Sequence, residues 1–163
     1  MGFRSAALLS STCFFLGVLF VCLNVDQRVL FQKRLTDEAI SDAFQFYTTF
    51  YNAPPAIKAL LHGMMGVTII STIGKLHKWD ESAMFFDGGS LAVAVFSIAM
   101  YTAVTIPALR TIVNPVPDVD TRSDQVEALQ LLSAGNVIII VLLGAILALQ
   151  AGQEWARRAD EAA

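Results

Sequence analysis

Charge vanishes from the chain for four long intervals, Ser5 to Val25, Ala59 to Gly74, Gly88 to Leu109 and Ala128 to Gln153, and returns only briefly between them. A helix needs about 20 mostly apolar residues to cross a hydrocarbon core of about 30 Å. The first, third and fourth intervals meet that requirement directly. The second is short, but Lys58 and Lys75 at its ends carry ammonium groups on flexible stems that reach the headgroups, which predicts a span from Pro55 to Leu76. The pattern predicts an all-α integral membrane protein, a single four-helix domain over residues 1–163 with spans at about 5–25, 55–76, 88–109 and 128–153.

Between the first two spans the period changes. Thr36 is placed to cap a helix whose first turn carries Asp37 and Glu38, where the helix dipole favours anions, and Pro54-Pro55 ends it. Ile40, Phe44, Tyr47 and Tyr51 form one stripe of this short amphipathic helix, widened by Phe46 and Phe50. Such a face wants burial, at the membrane surface or against the bundle, and it is also a candidate partner surface. In the second loop, Trp79 beside Lys78 reads as an anchor at the headgroup boundary. In the third, Asn114-Pro115-Val116-Pro117 favours an extended path into a stretch holding Asp118, Asp120, Asp124 and Glu127, whose spacing matches no calcium loop.

Composition sharpens the picture. With 55% hydrophobic and 15% charged residues and a mean hydropathy of +0.59, the chain is too apolar for a soluble domain of its length. A net charge of −3, with Lys and Arg scattered, points to no nucleic-acid partner. Cys13 and Cys22 would stand about 13 Å apart along one helix, too far to bridge. The first interval exceeds a signal-peptide core and lacks a small-x-small cleavage site, so a retained anchor helix is expected. An even number of spans puts both termini on one side. Arg4, Lys75, Lys78, Arg157 and Arg158 there nearly balance Arg28, Lys33, Arg34, Lys58, Arg110 and Arg122 opposite, and charge sets no orientation.

Chemistry inside the spans is sparse. His62 lies about a turn inside the second span, within reach of water or a carbonyl, and no acid or cation lies deeper. Asn136 falls well inside the fourth, and an amide in hydrocarbon seeks an interhelical hydrogen bond, with Tyr101, Thr102 and Ser71 as candidate partners. Gly144, Ala148 and Gly152 recur every four residues as a small face that admits another backbone, from a sister helix or a client. Pro107, about a turn before Arg110, reads as near the end of the third helix. No catalytic, cofactor-binding or metal-binding residue is expected. A small intramembrane enzyme is the rival reading, but it needs an activated group or an anion-binding cluster in the bundle, and the spans hold neither Arg nor Glu. A channel or transporter subunit is disfavoured by the lack of broken-helix repeats and pore-lining charges.

Phe15-Leu16-Gly17-Val18-Leu19-Phe20, Tyr51-Asn52-Ala53-Pro54-Pro55, Phe86-Asp87-Gly88-Gly89-Ser90-Leu91 and Ala148-Leu149-Gln150-Ala151-Gly152-Gln153, in this order and spacing, resemble the fungal secretory-component family. The resemblance implies a chaperone of the endoplasmic-reticulum membrane that shields newly made amino-acid permeases, prevents their aggregation and permits their packaging into transport vesicles. It also implies cytosolic termini and a first loop in the lumen. Asn136, Gly144, Ala148 and Gly152, with Phe44, Tyr47 and Tyr51 of the loop helix, are the expected client or helix-helix contacts. Vesicle-coat components are a further implied partner. Here the chain ends soon after Glu154-Trp155-Ala156-Arg157-Arg158, without a lysine-rich tail or dilysine signal, which counts against direct coat recruitment.

Overall fold

The computed structural model describes residues 2–32, 34–77 and 81–162, and every regular element among them is helical. The helices are α1 (Phe3–Leu30), α2 (Asp37–Tyr51), α3 (Pro55–Leu76), α4 (Glu81–Met100), α5 (Ile106–Val113) and α6 (Arg122–Ala162), with a π-helical turn at Tyr101–Thr105 joining α4 to α5. Four continuous rods are long and apolar enough to span a bilayer: α1, α3, the α4–π–α5 rod from Ala83 to Val113, and α6. The anchor expected at Lys78-Trp79 lies outside the described residues.

The rods form a closed ring in which α1 packs on α3 and α6, and α4 packs on α3 and α6. At one end of the ring α2 lies across α1, α5 and α6; the other end carries both termini. The polarity is inverted relative to a soluble bundle. Ser11, Thr12, Thr68, Ser71, Thr72, Ser90, Ser97, Ser133, Asn136 and Gln150 are buried, while Phe20, Val21, Ile70, Ile73, Phe85, Val95, Phe96 and Val141 are exposed. Lipid is as apolar as leucine, so helices gain little by hiding leucine from it and more by close packing and internal hydrogen bonds. The small hydroxyls satisfy themselves on their own helices, as Thr12 Oγ1 donates to Leu8 O (2.8 Å) and Thr72 Oγ1 to Thr68 O (2.7 Å). Thr68 Oγ1 also reaches Ser11 Oγ at 2.9 Å, tying α3 to α1.

Local chemistry sets the element ends. Thr36 accepts from Ala39 N–H and caps α2 as expected. Thr121 and Asp124 cap α6 reciprocally, Thr121 N–H donating to Asp124 Oδ2 at 2.7 Å and Asp124 N–H to Thr121 Oγ1 at 3.3 Å. The third loop is more folded than its prolines suggest. Asp120 Oδ2 accepts from Val116 N–H at 2.7 Å, and Asp118 takes a left-handed φ of 62°. Pro107 does not end the third rod, which runs on to Val113. The preceding turn widens instead, Ile106 N–H bonding Tyr101 O five residues back, so the missing proline N–H falls at a local irregularity. At about 60 Å, α6 is twice as long as a hydrocarbon core is thick and projects from it.

Candidate functional site

The ring holds two buried polar knots, one at each end. At the α2 end the centre is Asp26, one residue beyond the charge-free interval of α1 but inside the helix, which continues to Leu30. Its carboxylate is fully buried. Oδ1 accepts from Ser133 Oγ at 2.8 Å and from the Tyr47 hydroxyl, and Oδ2 accepts from Asn136 Nδ2 at 3.0 Å. Asn136 Nδ2 also donates to Tyr47 Oη at 3.0 Å. Burial, and then the adjacent Asp26 charge, push the Tyr47 phenol well above its ordinary value, so it stays a donor. Asn136 is therefore interhelical glue, as its type and depth suggested. Its partners, however, are Asp26 and Tyr47 and not Tyr101, Thr102 or Ser71.

At the other end Lys75 and Asp87 meet. Lys75 Nζ lies 2.8 Å from Asp87 Oδ1, with side-chain exposures of 10% and 2%. Lys75 also donates to Gln153 Oε1 at 2.7 Å and to Gln150 Oε1. The two amides in turn donate to the carboxylate, Gln150 Nε2 reaching Asp87 Oδ1 at 3.2 Å and Gln153 Nε2 reaching Oδ2 at 2.8 Å. Gln150 Nε2 further bonds Ser90 Oγ at 3.0 Å. Lys75 thus turns into the bundle, where a stem reaching out to the headgroups was expected. Asp26 and Asp87 are both buried in the bundle, but near its two ends, Asp87 level with Lys75 close to the end of α3 and Asp26 beneath α2. Each carboxylate accepts on both oxygens, an arrangement suited to holding helices together.

The aromatic face of α2 turns inward. Tyr47 is buried, Phe44 packs against the apolar cluster of Val29, Ala43, Ala108, Ile112, Leu129 and Leu132, and the Arg122 guanidinium stands 4.2 Å from its ring centre. Tyr51 accepts from Asn114 Nδ2 at 3.2 Å and lies under the Lys58 ammonium at 5.3 Å. The small residues of α6 divide. Gly144 and Ala148 face outward, and a Cβ at Gly144 would meet nothing within 4 Å. A Cβ at Gly152 would stand 3.0 Å from Phe86 Cε1, so that glycine serves packing inside the ring. Among the described residues, no three or more His, Cys, Asp or Glu side chains are placed to hold a metal ion.

Sequence reasoning did not find Asp26, Ser133, Asp87, Ser90, Gln150 or Gln153 as functional positions. The available signal was register, since Gln150 stands fourteen residues, close to four turns, from Asn136, and Ser133 and Gln153 each lie three residues from one of that pair.

Comparison with curated proteins found no match, and comparison with solved structures found none either. The family model of SHR3 chaperones, described as ER membrane protein SH3, matches residues 1–163. With four apolar rods, internally paired polar groups and a match along the whole of its length, the chain belongs to the SHR3 chaperone family of endoplasmic-reticulum membrane proteins.

Proposed function

We propose that this protein is a chaperone for newly made amino-acid permeases, holding their transmembrane segments apart from one another until each permease completes its own bundle and is packaged into transport vesicles. The observation that carries the reading is the family match over residues 1–163. The geometry is consistent with it. A permease intermediate exposes small or polar faces that lack their final partners, and an unsatisfied polar group in lipid costs several kcal/mol. A ring held together by two internally paired polar knots offers such a client a stable surface with weak, sequence-tolerant contacts.

In this reading the chain acts as one membrane domain with both termini in the cytosol and α2 in the lumen. Gly144 and Ala148 meet the client, while Asn136, Gly152, Phe44, Tyr47 and Tyr51 build the ring that presents them. The test is the localisation of a tagged amino-acid permease and a hexose transporter after deletion of the gene. Selective trapping of the permease in the endoplasmic reticulum supports the reading, and normal export of both overturns it.

A further inference from the structure

Helix α3 leans off the ring along its first half. Its backbone approaches α1 and α4 but not the π-helical turn, α5 or α6 among the described residues. Its buried residues, Thr68, Ser71 and Thr72, all lie in the second half, whereas every residue from Pro55 to Leu60 is exposed. A Cβ at Gly63 or Gly66 would meet nothing within 4 Å. Beside this leaning half is a cavity of about 120 Å³, roofed by Phe50 of α2 and walled by Leu61 and Met65 of α3, Ile98 of α4 and Leu109 of α5. Its surface is almost wholly apolar, so water gains nothing there, and an apolar occupant enters from the hydrocarbon phase.

The charge above the gap distinguishes it from the rest of the lipid-facing surface. Lys58 stands one turn before Leu61 on α3, and Arg110 follows Leu109 on α5, so a cation flanks the cavity on either side. Tyr51 links the two helix ends. The Lys58 ammonium stands 5.3 Å from its ring centre, and Asn114, the C-cap of α5 one turn beyond Arg110, donates to its hydroxyl at 3.2 Å. Lys58 and Arg110 are exposed, and among the described residues neither side chain is in a salt bridge or a hydrogen bond. By contrast, Arg28 at the same end pairs with Asp42, and Arg122 lies over Phe44.

We propose that this gap holds an anionic phospholipid, its phosphate between Lys58 and Arg110 and the upper part of one acyl chain in the cavity. Met65 lies seven residues beyond Lys58, about 10 Å deeper along α3. A cavity of about 150 Å³ takes a six-carbon ring, so one of about 120 Å³ takes a run of a few methylenes, and the rest of the chain leaves through the gap into the bilayer. A client helix would fill the cavity with an apolar side chain but bring no anion to the two cations. A phospholipid supplies both at once, and basic residues close to the membrane surface favour a headgroup of net negative charge. The lipid then acts as a wedge between α3 and the α5 end of its neighbour, where the protein itself makes no backbone contact.

The full chain is reconstituted in phosphatidylcholine vesicles carrying a trace of phosphatidylinositol, or of phosphatidylcholine, with a photoreactive diazirine in the acyl chain, and labelled residues are mapped by mass spectrometry. At Leu61, Met65 and Ile98 the phosphatidylinositol probe is expected to label about tenfold more than the phosphatidylcholine probe. At outward-facing Ile70 and Val141 the two should label alike. Lys58→Gln with Arg110→Gln should remove the preference at the cavity and leave Ile70 and Val141 unchanged, while Arg157→Gln at the opposite end should keep it. Equal labelling of the cavity by the two probes overturns the proposal, as does a preference that survives the double substitution or is just as strong at Ile70 and Val141. Should the double variant misfold, the wild-type contrast between the cavity and the outer face still decides. A cavity that neither lipid labels, but that a leucine-alanine model helix carrying a photoreactive leucine does, overturns the proposal in favour of a protein occupant. Each of these outcomes leaves the permease-export test of the chaperone reading untouched.

Discussion

The two knots bury a carboxylate in different ways. Asp87 has a cation, Lys75, together with two amides that bridge the pair. Asp26 has only hydroxyl and amide donors, from Tyr47, Ser133 and Asn136, among the described residues. The first solution joins α3, α4 and α6 through opposite charges, so removing one partner exposes the full desolvation cost of the other. The second spreads one charge over neutral donors on α2 and α6, so each donor carries a smaller share. The two ends therefore divide the labour: the termini end is locked by charge, and the α2 end is clasped by a loop helix.

The largest effect is expected from Lys75→Met, which strands Asp87 and should cost about 3–5 kcal/mol, read as a lower thermal midpoint of the purified chain in detergent. Lys75→Met combined with Asp87→Asn removes both charges and should recover most of that loss. Asn136→Leu deprives Asp26 and Tyr47 of one donor and should cost about 1–3 kcal/mol, with α2 becoming more accessible to protease before the spans unfold. An equal loss from the two substitutions would erase the contrast between the knots. A still smaller effect, below about 1 kcal/mol and reduced further by salt, is expected from Arg28→Ala, because the 2.6 Å pair with Asp42 is half-exposed.

Much of the fold was legible because a bilayer leaves few alternatives. Charge-free intervals announced the rods, and Thr36 with Asp37 and Glu38 announced α2. The two carboxylates were not legible for a related reason. Asp26 follows Val25 and Asp87 precedes Gly88, so an interval that stops at the first charge stops where the knot begins. Whether such a residue turns outward to the headgroups or inward to a partner depends on residues far away in the chain, Ser133 and Asn136 for Asp26, Lys75 and Gln153 for Asp87. Asn136 announced a hydrogen bond by its type, but the choice of partner required the ring order. Pro107 pointed to a helix end, whereas the rod continues to Val113 and the turn before the proline widens, leaving Thr105 unpaired.

The smallest effect on the fold tests the central claim, that the two buried knots hold the ring together and its outer surface meets clients. Gly144 has open space where a side chain would grow, so Gly144→Leu should change stability by no more than about 0.5 kcal/mol. Measured together on that variant, the thermal midpoint should stay at the wild-type value while the permease at the cell surface falls several-fold. Unchanged midpoint with unchanged export would contradict the claim.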